Sequence, residues 1–224
     1  MVLHGRVTLT YGAVQGGEVV DLVMGGNTPI PPVDLLQVSC SWSTRTGLDA
    51  DLSTLQLTGG RVRGDSDFVF YNQPTSTDGA LQLTGKHSRD GTSVDGLSAQ
   101  LGRVDPEVDS IVVLVSVDGP PGSSLADLGD LLGTVRFGTA DPDEAQFQVT
   151  GLTTETAVVV FELYRRGIGW KLRAVGQGYQ DGLAGLARDF GVHVDAEPAP
   201  ADSSTPAAPA IDWRHPPVPA GYEI

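Results

Sequence analysis

The stretch Thr156-Ala157-Val158-Val159-Val160-Phe161-Glu162-Leu163-Tyr164-Arg165-Arg166-Gly167-Ile168-Gly169-Trp170-Lys171-Leu172-Arg173-Ala174-Val175-Gly176-Gln177-Gly178-Tyr179 reads as two strands around one tight loop. A two-residue Gly167-Ile168 loop sets Arg166 opposite Gly169. Leu163 then faces Leu172 and Phe161 faces Ala174, while Glu162 meets Arg173 on the other face. A three-residue loop would put Leu163 against Arg173 and mix the faces. Glycine at the first loop position suits a type II′ turn, whose twist matches the strands. The stretch predicts an antiparallel hairpin with one apolar face.

The same alternation recurs outward from this hairpin. Leu36, Val38, Cys40 and Trp42 share one face, with Gln37, Ser39 and Ser41 on the other. Ile111, Val113, Val115 and Val117 form a second row, and Leu97, Ala99 and Leu101 a third. Period-two patterning buries one face of an antiparallel sheet and wets the other. About twelve such runs, punctuated by glycine, fit between Val7 and Asp195. Two sheets packed face to face bury them most simply, so the expected fold is mostly β, an antiparallel β-sandwich with one or two short helices. One helix follows from the spacing of Leu183, Leu186, Ala187 and Phe190, with Asp181 as N-cap and Gly191 as C-terminal stop. At three turns it must pack on the sandwich to persist. A weaker helical stretch covers Ser124 to Leu132.

Composition narrows the function. The chain of 224 residues carries 28 acidic and 14 basic side chains, a formal net charge of −14. That argues against a nucleic-acid binder and against a polybasic lipid anchor. It fits solubility, or attraction of a cation or a basic partner. Cys40 is the single cysteine, which excludes an intramolecular disulfide and a multi-cysteine zinc site. Its place on an apolar strand face predicts an inert thiol. No run approaches the ~18–20 apolar residues of a membrane span. Met1-Val2-Leu3-His4-Gly5-Arg6 gives way to polar alternation, so no signal peptide is evident and a cytoplasmic address is expected.

The domain is expected to span residues 1–195. From Ala196 to Ile224, 14 of 29 residues are Pro or Ala. Residues 196–210 read as a semi-extended linker and 211–224 as a short tail. Trp213-Arg214-His215-Pro216-Pro217-Val218-Pro219 has the composition of a polyproline-type ligand for an aromatic groove.

No nucleophile elbow, phosphate-cradling loop or zinc-protease motif is present. His4, His87, His193 and His215 are scattered. Glu162 has a cross-strand arginine and no second acid on its strand, so it reads as a structural ion pair. The chain is therefore expected not to be an enzyme. One acidic cluster carries a chemical argument. Asp49-Ala50-Asp51-Leu52-Ser53 places Asp49, Asp51 and Ser53 on one side of an extended segment, one way to gather the 6–8 oxygens Ca²⁺ takes. Further acids sit beside glycine: Asp65 and Asp67 after Gly64, Asp78 before Gly79, Asp90 before Gly91, Asp95 before Gly96. Asp-Gly is equally an ordinary hairpin turn pair.

Asp67-Phe68-Val69-Phe70-Tyr71-Asn72-Gln73, Phe161-Glu162-Leu163-Tyr164-Arg165-Arg166 and the Trp170–Tyr179 strand with Gly182-Leu183-Ala184-Gly185-Leu186-Ala187 closely resemble the TerD family of bacterial tellurium-resistance and general stress proteins. Gly25-Gly26-Asn27-Thr28-Pro29-Ile30 and the Val38–Trp42 strand are similar to that family's N-terminal region. The resemblance covers roughly residues 20–195. It implies a β-sandwich without known catalysis, calcium between acidic loops, and a stress role in multiprotein assemblies near the membrane, peripheral rather than inserted. It assigns Asp49, Asp51 and Ser53 to the family's Asp-x-Asp-x-Ser, and Ser76-Thr77-Asp78-Gly79 to its Ser-x-Asp-Gly turn. Two acidic elements depart from the pattern. Gly85-Lys86-His87 stands where the family has Gly-Asp-Asn, and Val94-Asp95-Gly96-Leu97 keeps one acid of Gly-Asp-Asp-Glu. Trp42-Ser43 replaces a Trp-Asp pair. The implied metal set is Asp49, Asp51, Ser53, Asp78 and Asp95. Lys86 opposes it, since like unit charges ~4 Å apart repel by ~4 kcal/mol at an effective dielectric near 20. The expectation is a calcium site that is weak or lost, decided by where Lys86 points. The competing expectation is a protein-interaction adaptor that uses a sheet face and the Trp213–Pro219 tail.

Overall fold

The computed structural model describes residues 17–139 and 143–192. The expectations for the N-terminal residues, for His4, His193 and His215, for the linker and for the Pro-rich tail lie outside the described residues. In chain order the strands are β1 (Val19–Asp21), β2 (Asn27–Pro29), β3 (Leu36–Ser43), β4 (Asp49–Leu57), β5 (Phe68–Val69), β6 (Leu81–Leu83) and β7 (His87–Arg89). There follow β8 (Thr92–Ala99), β9 (Ser110–Asp118), β10 (Leu131–Phe137), β11 (Asp143–Val149), β12 (Ala157–Arg166) and β13 (Gly169–Tyr179), then helix α1 (Gly182–Phe190).

These strands build two sheets. The first runs β1-β11-β10-β3-β8-β6, with β7 also on β8; the second runs β2-β13-β12-β9-β4-β5. Among the described residues all strand pairings are antiparallel except one: β1 runs parallel to β11. The two are far apart in sequence, so no hairpin dictates their relative direction. The first sheet is therefore mixed rather than purely antiparallel.

The hairpin register holds at its tip. Arg166 pairs with Gly169, Leu163 with Leu172, Glu162 with Arg173 and Phe161 with Ala174. Gly167 has φ +62°, as a type II′ turn requires. Beyond Phe161 the register slips by one, so that Val159 meets Gln177. The slip is a bulge at Val175-Gly176, where Gly176 has φ +74°. A matching irregularity against β9 leaves Val160 as an extra residue, and Val160 and Phe161 both enter the inter-sheet core. No single-register pattern anticipates this.

The rows read from sequence line that core. Leu36, Val38, Cys40, Trp42, Leu97, Ala99, Ile111, Val113 and Val115 are all buried there. Burial pushes the Cys40 thiol well above its ordinary range, with the charge of Asp95 adding to it, in keeping with an inert side chain. The β9 strand departs from the one-face expectation: Val112 and Leu114, on its opposite side, are buried too. They join Leu55, Leu57, Ala157, Val159 and Leu186 in a second cluster, with Phe190 packed against it. Part of the outer face of the second sheet is therefore covered by α1 rather than by water.

Within α1, Leu186 and Ala187 are buried, but Leu183 is 40% exposed. Gly191 ends the helix as expected, at φ +78° with its N–H on the Ala187 carbonyl at 2.8 Å. Asp181 makes no side-chain cap. Its backbone is turned away from the extended conformation of an N-cap, and its carboxylate pairs with Arg188 instead. The Ser124–Leu132 stretch is only a 3-10 turn, Leu125–Leu128, closed by a capping box between Ser124 and Asp127, before β10 begins at Leu131. Among the described residues no helix is long and apolar enough to cross a membrane.

Candidate functional site

The site grows from an unfinished strand edge. In the second sheet, β5 pairs with β4 only at Thr54 and Leu55. Among the described residues the edge of β4 before those two has no strand partner, and a backbone N–H there needs an acceptor. Asp95 of β8, on the inward side of the opposite sheet, supplies it. Its Oδ2 accepts the Leu52 N–H at 3.0 Å, and its Oδ1 accepts the Gly96 N–H at 2.9 Å. A side chain at position 96 would collide with the Thr84 hydroxyl, its Cβ only 2.5 Å away. Glycine there lets the Thr84–Lys86 segment press onto β8, where the Thr84 N–H donates to the Gly96 carbonyl at 2.8 Å.

That close approach aims Lys86. Lying between β6 and β7, it reaches across to β4. Its ammonium donates to Asp49 Oδ2 at 2.7 Å and Asp51 Oδ1 at 2.8 Å. The Trp42 ring lies 5.7 Å from the same nitrogen. Burial works against the Lys86 charge, but the two carboxylates outweigh it and raise its pKa. Burial pushes the Asp95 carboxyl up; the Leu52 and Gly96 N–H groups and the Lys86 charge pull it down without cancelling the shift. Beside them opens a pocket of about 220 Å³, lined by Asp51, Leu52, Asp95 and Lys86 together with Tyr71, Pro74, Leu83 and Gly85.

The other predicted ligands lie elsewhere. Ser53 is buried and does not line the pocket. Asp78 is bonded to Gln56, which lies five residues along β4 from Asp51, roughly 16 Å at the ordinary rise of a strand. All its lone-pair directions are engaged. Oδ1 accepts from the Ser76 hydroxyl at 2.6 Å and the Ala80 N–H at 2.9 Å; Oδ2 accepts from the Gln56 amide at 2.8 Å and the Asp105 N–H at 3.0 Å. Burial raises the Asp78 carboxyl, but these four donors outweigh it and hold it below the usual carboxylate range. Nearby, Arg63 forks onto Asp67, with Nε–Oδ2 at 3.0 Å and Nη2–Oδ1 at 2.8 Å, and reaches Asp105 at 2.7 Å. Asp90 and Gly91 both have positive φ and form the two-residue turn between β7 and β8. Glu162 meets Arg173 at 3.1 Å on the sheet surface, the cross-strand ion pair the sequence predicts.

Calcium, as the family resemblance implies it, does not fit this arrangement. Three of the five assigned residues, Asp49, Ser53 and Asp78, do not line the pocket, and Asp49 and Asp51 already hold an ammonium. Among the described residues, no three acidic, histidine or cysteine side chains are grouped to hold a metal ion. Sequence reasoning missed the Leu52 N–H as the partner of Asp95, and missed Tyr71, Pro74 and Leu83 as walls. None carries a local signal, since an unpaired edge and a wall exist only once the sheets are assembled.

The architecture defines a class: a two-sheet sandwich with acidic clusters at its loop ends. Comparison with known proteins identifies that class. Residues 18–190 match the TerD domain model, and the chain belongs to the TerD family. It is 36% identical over 189 residues to tellurium resistance protein TerD of Serratia marcescens, covering 78% of this chain and 98% of the relative. It is 29% identical over 193 residues to general stress protein 16U of Bacillus subtilis, covering 80% and 96%. The fold matches the crystal structure of a homologue of telluride resistance protein (TerD) from Streptomyces coelicolor A3(2). That match has a TM-score of 0.52 at 18% identity, over 69% of this chain and 95% of the other.

Proposed function

We propose that the chain is a non-catalytic binding scaffold of a bacterial stress response, of the tellurium-resistance type, working in the cytoplasm among other proteins of a stress assembly. The observation that carries this reading is the TerD domain match across residues 18–190. The groove at the tip of the β12–β13 hairpin supports it. That groove, about 710 Å³, is walled by Ile30, Pro31, Pro32, Leu101, Val104, Ile168 and Trp170. Ile168 at its rim is fully exposed, and Arg165 lies over the Trp170 ring at 4.5 Å. Apolar side chains and an arginine-capped aromatic are the usual anchors of a protein interface.

A strain lacking the gene is expected to be more sensitive to tellurite and oxidants, and the full chain to restore growth. Ile168→Asp, at a fully exposed loop position, is expected to fold normally and to lose both rescue and co-purifying partners. Wild-type sensitivity of the deletion strain would remove the stress reading. Full rescue by Ile168→Asp would remove the groove from it. The adaptor reading through the Pro-rich tail is tested by truncating after residue 195; unchanged partners would exclude the tail.

A further inference from the structure

We propose that the groove at the tip of the β12–β13 hairpin binds a proline-rich segment of a partner protein, one that carries a basic residue beside its prolines. The proposal rests on the reading of that groove as an interface and names the chemistry of its ligand. Pro31, Pro32 and Pro106 line the groove with Ile168 and Trp170. Proline has no N–H to donate, so these walls offer a ligand few backbone donors. The carbonyls beside them are already used. Trp170 O accepts the Ile30 N–H at 3.0 Å, and Val104 O accepts Arg165 Nη2 at 3.2 Å.

These walls select among the common peptide conformations. An added strand would need a free edge, but β2 already covers β13 from Lys171 to Arg173. An irregular segment would bury N–H groups that find no acceptor. A polyproline II segment avoids both costs: it is extended without internal hydrogen bonds, and its prolines bring no N–H. Its carbonyls do need a donor. Trp170 Nε1–H makes no hydrogen bond among the described residues and supplies one. A helix, whose carbonyls are spent internally, would leave that N–H unmet.

Charge adds the basic residue. Asp34 is exposed on the groove lining, and its carboxylate has no hydrogen bond or ion pair among the described residues. Arg165, the other charged side chain of the lining, is engaged. It lies over the Trp170 ring at 4.5 Å, with Nε on the Val108 carbonyl at 2.8 Å and Nη2 on that of Val104. An arginine in the ligand gives Asp34 its partner, and the net charge of −14 attracts it.

The test uses the full chain and a fluorescein-labelled peptide of one arginine followed by a run of prolines. One control peptide carries glutamate for the arginine, another alanines for the prolines. Binding is read by anisotropy at low ionic strength, and folding of each variant by thermal unfolding. Wild type is expected to bind the first peptide saturably, about fivefold more tightly than the glutamate peptide, and the alanine peptide not at all. Asp34→Lys should reverse the preference between arginine and glutamate, which a merely structural role for Asp34 would not do. Trp170→Phe, which keeps a ring but loses the N–H, should weaken both proline peptides about threefold to tenfold. Ile168→Asp should abolish binding. No saturable binding to wild type would overturn the proposal, as would equal binding of the alanine peptide or an unchanged preference in Asp34→Lys. So would a dimer that Ile168→Asp dissociates, which would make a second copy the occupant. Absent peptide binding, with rescue still lost in Ile168→Asp, would overturn the ligand chemistry alone and leave the interface reading standing.

Discussion

The two ends of β4 handle buried negative charge in different ways. At the Asp51 end, one lysine bridges two carboxylates, its side chain 24% exposed and its contacts made by a single nitrogen. At the Gln56 end, Asp78 is saturated by four fixed donors, and Asp67, its side chain 3% exposed, is held by both prongs of Arg63. A carboxylate bound by backbone N–H groups and a planar fork is locked into one geometry. Two carboxylates bound by one ammonium keep a net negative charge and are held by a single point of contact rather than by a fork. The difference teaches that an acidic cluster is structural or ligand-binding according to what its oxygens already touch, not according to how many acids it holds.

The contrast breaks first if the Arg63 end is not structural. Arg63→Ala should cost about 3 kcal/mol in urea unfolding, because Asp67 would keep only a backbone donor for a buried charge. A loss below ~1 kcal/mol would place both ends in the same class. Asp78→Ala should cost about 2–3 kcal/mol by stranding the buried Gln56 amide.

Acid titration of stability sharpens the same comparison. Asp78, with its folded pKa depressed, stabilises the fold above the ordinary carboxylate range; that contribution is lost as pH falls through the depressed value. Asp95, with its pKa raised, behaves oppositely: its protonation adds stability as pH falls from its folded value to its unfolded one. Asp78→Asn should therefore flatten the acid loss, and Asp95→Asn should remove the opposing gain.

Midway along β4, Thr54 is fully buried and its hydroxyl has no hydrogen-bond partner among the described residues. Thr54→Val should stabilise by about 1 kcal/mol, since it deletes an unpaired polar group without changing shape. Smallest of all, Glu162→Gln on the half-exposed surface pair should change stability by less than ~1 kcal/mol, read by the same unfolding curves.

Much of the fold was legible because β alternation is local. The Leu36–Trp42 row and the hairpin tip follow from period-two burial and a two-residue glycine loop. The slip at Val175-Gly176 was not, because a bulge changes pairing without disturbing composition. Nor was the cover over Val112 and Leu114, because a strand buried on both faces declares itself only when a helix from elsewhere lands on it. Three of the Asp-Gly pairs show the limit within the site: Asp90-Gly91 is a hairpin turn, Asp78-Gly79 a saturated loop, and Asp95-Gly96 the middle of a strand.

By itself the sequence determined that the chain forms stacked β layers, that Asp49 and Asp51 share one side of a strand, and that a lysine falls among the acidic loops. Only the tertiary structure decided that this lysine points inward, that Asp95 closes an open strand edge, and that Asp78 belongs to the opposite end. The reason is the range of the interactions. Side-chain alternation is a property of a few consecutive residues. Which carboxylate meets which cation depends on how two sheets, distant along the chain, come to face each other.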